Sequence, residues 1–334
     1  MTFQRWISAA VIRAAIFVAW VLGLGAIAIV GLCILLVAAS RTLKSSSNPA
    51  LSYQEAVNRF SGIQSGERQQ VSPLAQSILL THGYKASRVV LFFHGYSSSP
   101  QQFRALGEEL FRTGFNVLIP RLPHHGIADR KLTNLSQIEA AELRECADES
   151  VDIAVGLGDK VYVGGLSAGG VLTAWIAENR KEVSRVLLIA PSFVLGHRAG
   201  TFAQRLCVAL MAALPGITPD FYHETTAAGY AYPGFSAKSL AQLLRLSVAI
   251  FANALEHPVA VRDVYFVTSR NDHAVSDFAT CLLIGLWRFK GVRNLVSIDF
   301  PKETDAGHDL IDPVDGKKET DLVYPVLTQL LSAP

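Results

Sequence analysis

Residues 161–170 read VYVGGLSAGG, a short apolar run that enters the pattern Gly165-x-Ser167-x-Gly169 and continues into an amphipathic stretch. A strand followed by G-x-S-x-G and a helix is the arrangement of a nucleophile elbow, in which a tight turn exposes a serine hydroxyl at the start of the helix. Glycines are needed two residues before and after the serine because side chains there would collide. The stretch predicts an α/β fold with Ser167 as its nucleophile.

On both sides of this motif, short β-branched and aromatic runs alternate with amphipathic stretches. This alternation is typical of a mostly parallel sheet flanked by helices. Apolar residues at helical spacing, such as Leu106 with Leu110 and Leu172 with Ile176, are expected to face the core. The predicted strands are Val89 to Phe93, Asn116 to Pro120, Val161 to Gly164, Val186 to Ala190, Val264 to Thr268 and Leu295 to Phe300.

A serine nucleophile needs a general base and an acid that orients the base, and in this fold they follow in the order serine, acid, histidine. His308 comes after the last predicted strand and is the only histidine C-terminal to His273. Asp272 directly follows a predicted strand, whereas Asp305 and Asp309 are too close to His308 in sequence to reach its Nδ1 easily. The predicted catalytic residues are Ser167, Asp272 and His308.

Acyl transfer also requires backbone N–H groups that bind the developing oxyanion. One is expected from Ala168, directly after the nucleophile. The other is expected from the loop after the strand Val89 to Phe93, which reads HGYSSSP over residues 94–100. In this loop Tyr96 is the predicted donor, and Gly95 allows the sharp turn.

With these residues in place, the chain from about Ser77 onward resembles the α/β-hydrolase superfamily, specifically its carboxylesterase, monoacylglycerol lipase and serine aminopeptidase branch. The matching segments, in the family's order, are LFFHGYSSSP, PRLPHHGIADR, GGLSAGG, SRNDHAV and AGHD. The resemblance implies ester hydrolysis through Ser167, Asp272 and His308, with a cap between the family's sixth and seventh strands that shapes the acyl pocket. His124 stands where the family often has glycine, and we expect it to fill space rather than contact substrate.

The interval from Pro191 to Val261 is much longer than a crossover between two strands requires. We interpret about 192–260 as an inserted cap over the carboxyl edge of the sheet, where ligands bind in open α/β folds. Its helical segments, predicted around Phe202 to Leu214 and Ser239 to Ala254, are strongly apolar. They are expected to roof a hydrophobic acyl pocket.

Composition argues against several other kinds of site. The 30 lysines and arginines nearly balance the 28 aspartates and glutamates, and no basic run is interleaved with aromatics, so nucleic acid is not an expected partner. The four cysteines are scattered, without a CxxC pair or a histidine at metal-ligand spacing. No metal and no cofactor are therefore expected.

The N-terminal segment carries no charged residue from Ala14 to Ala39, a run of 26 residues. A helix needs roughly 20 apolar residues to cross a bilayer, and a cleaved secretory signal has an apolar region of about 7 to 15. We therefore expect residues 1–40 to form an uncleaved transmembrane anchor rather than a cleaved signal. The membrane is an expected partner through this helix.

Basic residues on the two sides of the segment are nearly balanced, with Arg5 and Arg13 before it and Arg41 and Lys44 after it. We expect a cytoplasmic N-terminus and an extracytoplasmic hydrolase domain in a single-pass protein. Residues 41–50, RTLKSSSNPA, have the composition of a short flexible linker. The hydrolase domain is predicted to span residues 51–334.

Three functions remain open at this point. The leading one is a membrane-anchored serine hydrolase that cleaves a small-molecule carboxylic ester with a lipid-like or short-to-medium acyl group. A peptidase or thioesterase with the same triad is the second, since one fold and one triad serve several acyl-transfer reactions. The third is a non-catalytic binding or scaffold module, which has no need for a serine, an aspartate, a histidine and an oxyanion loop in register.

Overall fold

The computed structural model describes residues 40–129, 131–196, 208, 220–222, 229–314 and 317–333, together with residues 31, 34, 37 and 38. The predicted anchor, residues 1–40, lies almost wholly outside these residues, and so does the predicted helical segment 202–214 apart from Val208. Among the described residues, no helix has the length and apolar character needed to cross a membrane.

The strands confirm the predicted alternation and add three short ones that were not predicted, β1, β6 and β7. All six predicted strands are present. The described strands are β1 (Ile78–Leu80), β2 (Ala86–Phe93), β3 (Asn116–Ile119), β4 (Gly158–Leu166), β5 (Val183–Ile189), β6 (Asp220–Tyr222), β7 (Gly234–Ser236), β8 (Asp263–Ser269) and β9 (Asn294–Phe300).

In the part of the chain that the structure describes, seven strands form one sheet in the order β1-β3-β2-β4-β5-β8-β9. β1 is antiparallel to β3, and the other neighbouring pairs are parallel. β6 and β7 form a separate antiparallel pair. This is the mostly parallel sheet that the sequence predicted.

Helices cover both faces of this sheet. The described helices are α1 (Tyr53–Glu67), α2 (Arg104–Arg112), α3 (Leu132–Leu135), α4 (Ala140–Leu157), α5 (Ala168–Asn179), α6 (Ala237–Glu256), α7 (Asp277–Phe289) and α8 (Lys317–Ser332). Residues of α1, α4, α5, α6 and α7 share one hydrophobic core, and residues of α2 and α8 share the other. Alternate residues of β2 supply the two cores, Leu91 to the first and Phe92 to the second, as expected for a strand buried on both faces.

The carboxyl ends of the central strands lie side by side. Phe93 of β2 is in register with Gly165 of β4, and Leu166 of β4 is in register with Ile189 of β5, which in turn faces Val267 of β8. The loops that follow β2, β4, β5 and β8 therefore converge at one edge of the sheet. This edge is where open α/β folds bind their ligands.

Within the predicted cap, the second helical segment is observed as α6. Leu240 and Leu243, near its start, line the cavity of Ser167, as expected, but the rest of the helix packs in the core rather than over the sheet edge. Leu246 and Ile250 of α6 are fully buried in the same core as α5. The ring of Phe251 packs edge-on against Phe193, with 5.7 Å between the ring centroids. Because these side chains pack in the core, α6 belongs to the helical layer that covers the sheet.

The predicted linker, residues 41–50, is docked on the domain rather than flexible. Ser45 donates its hydroxyl to Oδ1 of Asp148 at 2.6 Å, and the backbone N–H of Ser46 donates to Oδ2 of the same carboxylate at 3.0 Å. Arg180, only 1% exposed, pairs with Asp152 and donates to the backbone carbonyl of Asp148 at 2.8 Å. Composition cannot reveal this docking, because the partners lie more than a hundred residues further along the chain.

Candidate active site

Ser167 lies between β4 and α5 in a strained turn. Its backbone has φ 57° and ψ −112°, a combination that is rare for a residue with a side chain. The backbone N–H of Ser167 donates to the carbonyl of Ile189 at 2.9 Å, and its carbonyl accepts the N–H of Ser192 at 3.1 Å. The turn is thus held by the end of β5, and the serine side chain stands at the N-terminus of α5.

The glycines around Ser167 are required by close backbone approaches. A Cβ on Gly165 would lie 2.2 Å from the carbonyl oxygen of Gly169, and one on Gly169 would lie 2.0 Å from the carbonyl oxygen of Phe93. A Cβ on Gly170 would lie 2.9 Å from Cα of Pro191. The steric reason that the sequence pattern suggested is therefore present, and it involves β2 as well as the turn itself.

His308 and Asp272 meet although they are 36 positions apart. Nδ1 of His308 lies 2.7 Å from Oδ2 of Asp272, in the loop after β8. The other carboxylate oxygen, Oδ1, accepts the N–H groups of Ala274 at 2.8 Å and Val275 at 3.4 Å. Asp272 is 5% exposed. One of its carboxylate oxygens fixes its own loop, and the other orients the histidine.

The same aspartate controls the ionisation of His308. Burial alone would lower the pKa of His308, but the hydrogen bond to Asp272 and the negative charges of Asp272 and Asp309 outweigh it and raise the pKa above its ordinary value. An imidazole held in this way takes up a proton readily. That property suits a general base whose protonated form must be stabilised during the reaction.

Asp309, one of the two rival carboxylates, has other partners. Its Oδ2 accepts Nε2–H of Gln102 at 2.7 Å, and its Oδ1 accepts the backbone N–H groups of Ile311 at 3.1 Å and Asp312 at 3.0 Å. Asp305 lies in a left-handed backbone conformation at the end of a short 3-10 turn. The structure therefore brings Asp272, and neither rival, to Nδ1 of His308.

The loop after β2 is held by buried side chains. The carbonyl of Gly95 lies 2.8 Å from Nδ1 of His94, whose Nε2 accepts the N–H of Leu122 at 3.1 Å. These partners assign the proton of His94 to Nδ1. The N–H of Gly95 donates to Oε1 of Gln102 at 2.8 Å, and Gln102 also reaches Asp309. Gln102 thus joins the loop after β2 to the loop that carries His308.

Tyr96, the predicted loop donor, is held at both ends. Its carbonyl lies 2.6 Å from Nε2 of His125. Its hydroxyl forms a hydrogen bond with Oγ of Ser239 and accepts the backbone N–H of Ser236 at 3.2 Å. These contacts fix the peptide whose N–H was predicted to bind the oxyanion. Ala168, the other predicted donor, is the first residue of α5, where the backbone N–H has no partner within the helix.

His125 and Gln102 hold the loop after β2, and sequence reasoning did not include them among the candidate site residues. Burial lowers the pKa of His125 to about 4, so the ring is neutral near pH 7 and carries a single N–H. We assign this proton to Nε2, because its contact with the carbonyl of Tyr96 at 2.6 Å is shorter than that of Nδ1 with the carbonyl of Pro123 at 2.9 Å. The sequence around His125 gave no signal for this role beyond its place beside His124. His124 itself bonds to the carboxylate of Glu142 at 3.1 Å, and it does not line the cavity described next.

Ser167 and His308 line one cavity of about 510 Å³, together with Gly95, Tyr96 and Asp309. The volume falls within the range of about 300 to 1,000 Å³ that is usual for small-molecule sites. A smaller cavity of about 100 Å³ shares Leu195, Leu240 and Leu243 with it. The apolar and aromatic wall of the larger cavity is formed by Leu166, Leu195, Tyr232, Phe235, Leu240 and Leu243.

In the described residues, no three histidine, cysteine, aspartate or glutamate side chains form a group that could hold a metal ion. The polar groups of the cavity are instead a serine, a histidine backed by a buried carboxylate, and backbone N–H groups. This set can carry out nucleophilic acyl transfer without a cofactor.

Comparison with known sequences also finds similarity to hydrolases. The model of the alpha/beta hydrolase family matches residues 90–315. A thermostable monoacylglycerol lipase from Bacillus sp. (strain H-257) is 27% identical over 170 residues, which is 47% of this chain and 60% of the relative. The aligned part thus spans about three fifths of the length of that relative.

Several solved structures share the fold at low sequence identity. The monoacylglycerol lipase of Paleococcus ferrophilus superposes with a TM-score of 0.59 at 16% identity, covering 77% of this chain and 98% of that one. A structure reported in connection with LipS and LipT, two metagenome-derived lipolytic enzymes, superposes with a TM-score of 0.57 at 20% identity. The match covers 78% of this chain and 99% of that one. A soluble variant of the Saccharomyces cerevisiae monoglyceride lipase superposes with a TM-score of 0.57 at 14% identity, and the match covers 76% of this chain and 89% of that one.

Proposed function

This chain belongs to the α/β-hydrolase family, and from that premise we propose that it is a membrane-anchored serine hydrolase that cleaves a carboxylic ester with a lipid-like or short-to-medium acyl group. The observation that carries the proposal is the hydrogen bond of 2.7 Å between His308 and Asp272 beside a cavity that Ser167 also lines. A non-catalytic module would gain nothing from a buried carboxylate that raises the pKa of a cavity histidine.

In the proposed reaction, Oγ of Ser167 attacks the ester carbonyl while Nε2 of His308 takes its proton. Asp272 holds the imidazole through Nδ1 and stabilises the imidazolium that forms. His308 then donates the proton to the departing alcohol, which leaves an acyl-enzyme. Water, activated by the same histidine, hydrolyses this intermediate and frees Ser167.

The developing oxyanion is proposed to bind the backbone N–H groups of Tyr96 and Ala168. The hydrogen bonds of His125 to the carbonyl of Tyr96, and of Gln102 to the N–H of Gly95, support this assignment because they fix the loop before substrate arrives. Donors that are already oriented lower the barrier without a reorganisation cost during the reaction.

The apolar wall of the cavity supports the proposed substrate class. Leu240 and Leu243 of α6 lie in both the main cavity and its small apolar extension, so an acyl chain attached at Ser167 has an apolar path away from the serine. Each buried methylene contributes about 0.8 kcal/mol, or about fourfold in kcat/KM, until the path is full. An ester panel of graded chain length therefore measures the length of this path.

The test of the catalytic assignment is labelling with a fluorophosphonate probe, followed by that ester panel. Ser167→Ala should lose both labelling and turnover while keeping its fold. Ser192→Ala is the matched control, because Ser192 is also buried and lines the same cavity but carries no catalytic role in this proposal. Labelling that persists in Ser167→Ala would contradict the proposal, and the absence of labelling in the wild type would favour a binding module.

Leu240→Ala should move the preferred acyl length upward and leave acetyl esters nearly unaffected. Phe251→Ala is the control, because the ring of Phe251 packs against Phe193 rather than the cavity. An equal response of the two variants would show that chain length is not read by this wall.

Membrane anchoring is the second part of the proposal. It is supported by the 26 uncharged residues from Ala14 to Ala39, with the hydrolase domain placed on the extracytoplasmic side. The full-length protein should resist extraction with carbonate, and its domain should be digested by protease added outside intact cells or spheroplasts. A mature soluble protein that begins near Ser40 would contradict the anchor.

A further inference from the structure

Helix α7 carries a stripe of exposed apolar side chains. Phe278, Leu282 and Phe289 are 77%, 46% and 86% exposed, and their spacing of four and seven residues places them on one helical face. They extend over about 17 Å of the helix. The opposite face, with Leu283 and Trp287, is fully buried in the core. We call Phe278, Leu282 and Phe289 the α7 stripe.

The residues around the α7 stripe suit a lipid surface. Arg288, next to Phe289 in the last turn of the helix, is exposed, and so is Arg293, four residues after the helix ends. Cys281, which is also exposed, lies between Phe278 and Leu282 in the sequence of the helix. Aromatic and aliphatic side chains next to arginine form the amphipathic pattern that binds at the boundary between headgroups and acyl chains.

The N-terminal segment leaves the domain from the same helical layer. Ser40, which ends the uncharged segment, donates its hydroxyl to the carbonyl of Arg245 in α6 at 3.0 Å. Arg41 forms an ion pair of 2.5 Å with Glu256 at the end of α6. α6 and α7 are neighbours in one layer and share the first hydrophobic core. The exit point and the α7 stripe thus lie on the same side of the sheet.

The docked linker limits how far the domain can turn away from this exit point. Residues 45–48 are held by Asp148, Asp152 and Arg180, so the segment between the apolar run and the fixed backbone is only a few residues long. A domain tied so closely to a bilayer cannot sample all orientations. The orientations that remain include those in which the layer formed by α6 and α7 faces the membrane.

We propose that the α7 stripe is a lipid-contacting surface that lays the domain against the bilayer in which its N-terminal segment is anchored. The inference rests on the proposed anchoring but not on the catalytic assignment. α7 begins directly after the loop of Asp272, so Phe278 lies at the carboxyl edge of the sheet, the edge that also holds the cavity of Ser167. A lipid ester then has a short route from the bilayer to the cavity.

The experiment uses the full-length chain with its four cysteines replaced by serine, reconstituted in vesicles of phosphatidylcholine and phosphatidylglycerol. Single cysteines for an environment-sensitive fluorophore are introduced by Phe278→Cys and Phe289→Cys. The controls are Tyr84→Cys and Leu322→Cys, which are also exposed, Leu322 being on α8 at the opposite face of the sheet. Lipids that carry a nitroxide quencher should reduce the fluorescence at the α7 positions at least about twofold more than at the controls.

Ile34→Cys, within the apolar segment, reports the anchor separately. Quenching at Ile34→Cys, with the α7 positions no different from the controls, would overturn the lipid-contacting surface and leave the anchor intact. No quenching at any position would overturn both. Unquenched α7 labels, combined with efficient cross-linking of Cys281 between two copies of the chain that keeps its native cysteines, would overturn the proposal in favour of a second copy of this protein on the stripe.

Activity gives an independent readout. The double variant Phe278→Ser, Phe289→Ser should lower the hydrolysis of an ester embedded in vesicles several-fold and leave a water-soluble short-chain ester unchanged. Tyr84→Ser should change neither rate. An equal loss on both substrates would overturn the proposal, because it would show that the stripe supports the folded domain rather than its contact with lipid.

Discussion

The nucleophile elbow around Ser167 and the oxyanion loop, residues 94–100, meet in the same cavity but are held in different ways. The elbow is fixed by backbone, since Ser167 bonds to the end of β5 and Gly169 allows β2 to approach within contact distance. The oxyanion loop is fixed by side chains that come from other parts of the chain, among them Gln102 and His125.

This difference predicts two kinds of response to substitution. A backbone contact with no spare space tolerates no added atom, so changes in the elbow are expected to be all-or-none. A loop held by several side-chain hydrogen bonds loses one support at a time, and each bond contributes about 1 kcal/mol. Changes there should give graded losses of activity with little loss of stability.

The largest effect is expected from Gly169→Ala, which tests the all-or-none part of the comparison. Its Cβ would lie 2.0 Å from the carbonyl oxygen of Phe93, so the end of β2 or the start of α5 must move. We expect loss of probe labelling and a decrease of about 3 kcal/mol or more in the free energy of unfolding, measured by urea denaturation. Gly62→Ala in α1 has open space and should be neutral or stabilising. Wild-type activity in Gly169→Ala would break the comparison.

The next effect is expected from Gln102→Ala, which removes both the support of Gly95 and the link to Asp309. Loss of a whole oxyanion donor costs about 10²- to 10³-fold in kcat, and displacement of one should cost roughly 10- to 100-fold. KM should change less than kcat, because the oxyanion contact strengthens in the transition state. The neighbouring Gln101 makes neither contact, so Gln101→Ala serves as the control. A change confined to KM would argue against a positioning role.

A smaller loss is expected from Tyr96→Phe. The variant keeps the backbone N–H that is proposed to bind the oxyanion but removes the hydroxyl bonds to Ser239 and Ser236. If the loss of these two bonds shifts the loop enough to raise the activation barrier by about 1 kcal/mol, kcat falls about fivefold. Steady-state rates on a short ester measure it, with the exposed Tyr84→Phe as the control. A loss as large as that of Ser167→Ala would show that the loop is as intolerant as the elbow.

The smallest effect is a displacement of the pH profile by Asp309→Asn. The charge of Asp309 helps to raise the pKa of His308, so its removal lowers that pKa and keeps the imidazole neutral at lower pH. The acid limb of kcat/KM against pH should move to lower pH by less than about one unit. Asp305→Asn, in the same loop, should leave the limb in place. A shift to higher pH would contradict the assignment of His308 as the base.

The residues that could be predicted from the sequence are those whose signal is local. The elbow can be recognised from ten consecutive residues, because its strand, glycines and serine must be adjacent in sequence. The six predicted strands share this property, since alternation of apolar runs is a local pattern. Asp272 and His308 required one further rule, the order in which the catalytic residues follow the strands, and the structure brings the two together.

The features that escaped prediction depend on contacts between distant positions. β1 is three residues long and pairs antiparallel with β3, which its own short run does not indicate. The role of His125 depends on a carbonyl 29 positions earlier, and that of Gln102 on a carboxylate 207 positions later. The docking of the linker depends on α4 and Arg180 in the same way. Such partners become visible only when the sheet has placed them side by side.

The docked linker also makes the domain difficult to shed. A stretch of serines, asparagine and proline between an anchor and a domain is the kind of exposed segment that proteases cut. Here the N–H groups of Ser46 and Asn48 are bound by carboxylates of α4, and Arg59 donates to the carbonyl of Asn48 at 2.7 Å. Cleavage requires these bonds to open first, and limited proteolysis should spare the segment. If residues 1–40 anchor the chain as proposed, the hydrolase is removed together with its membrane and is not released from it.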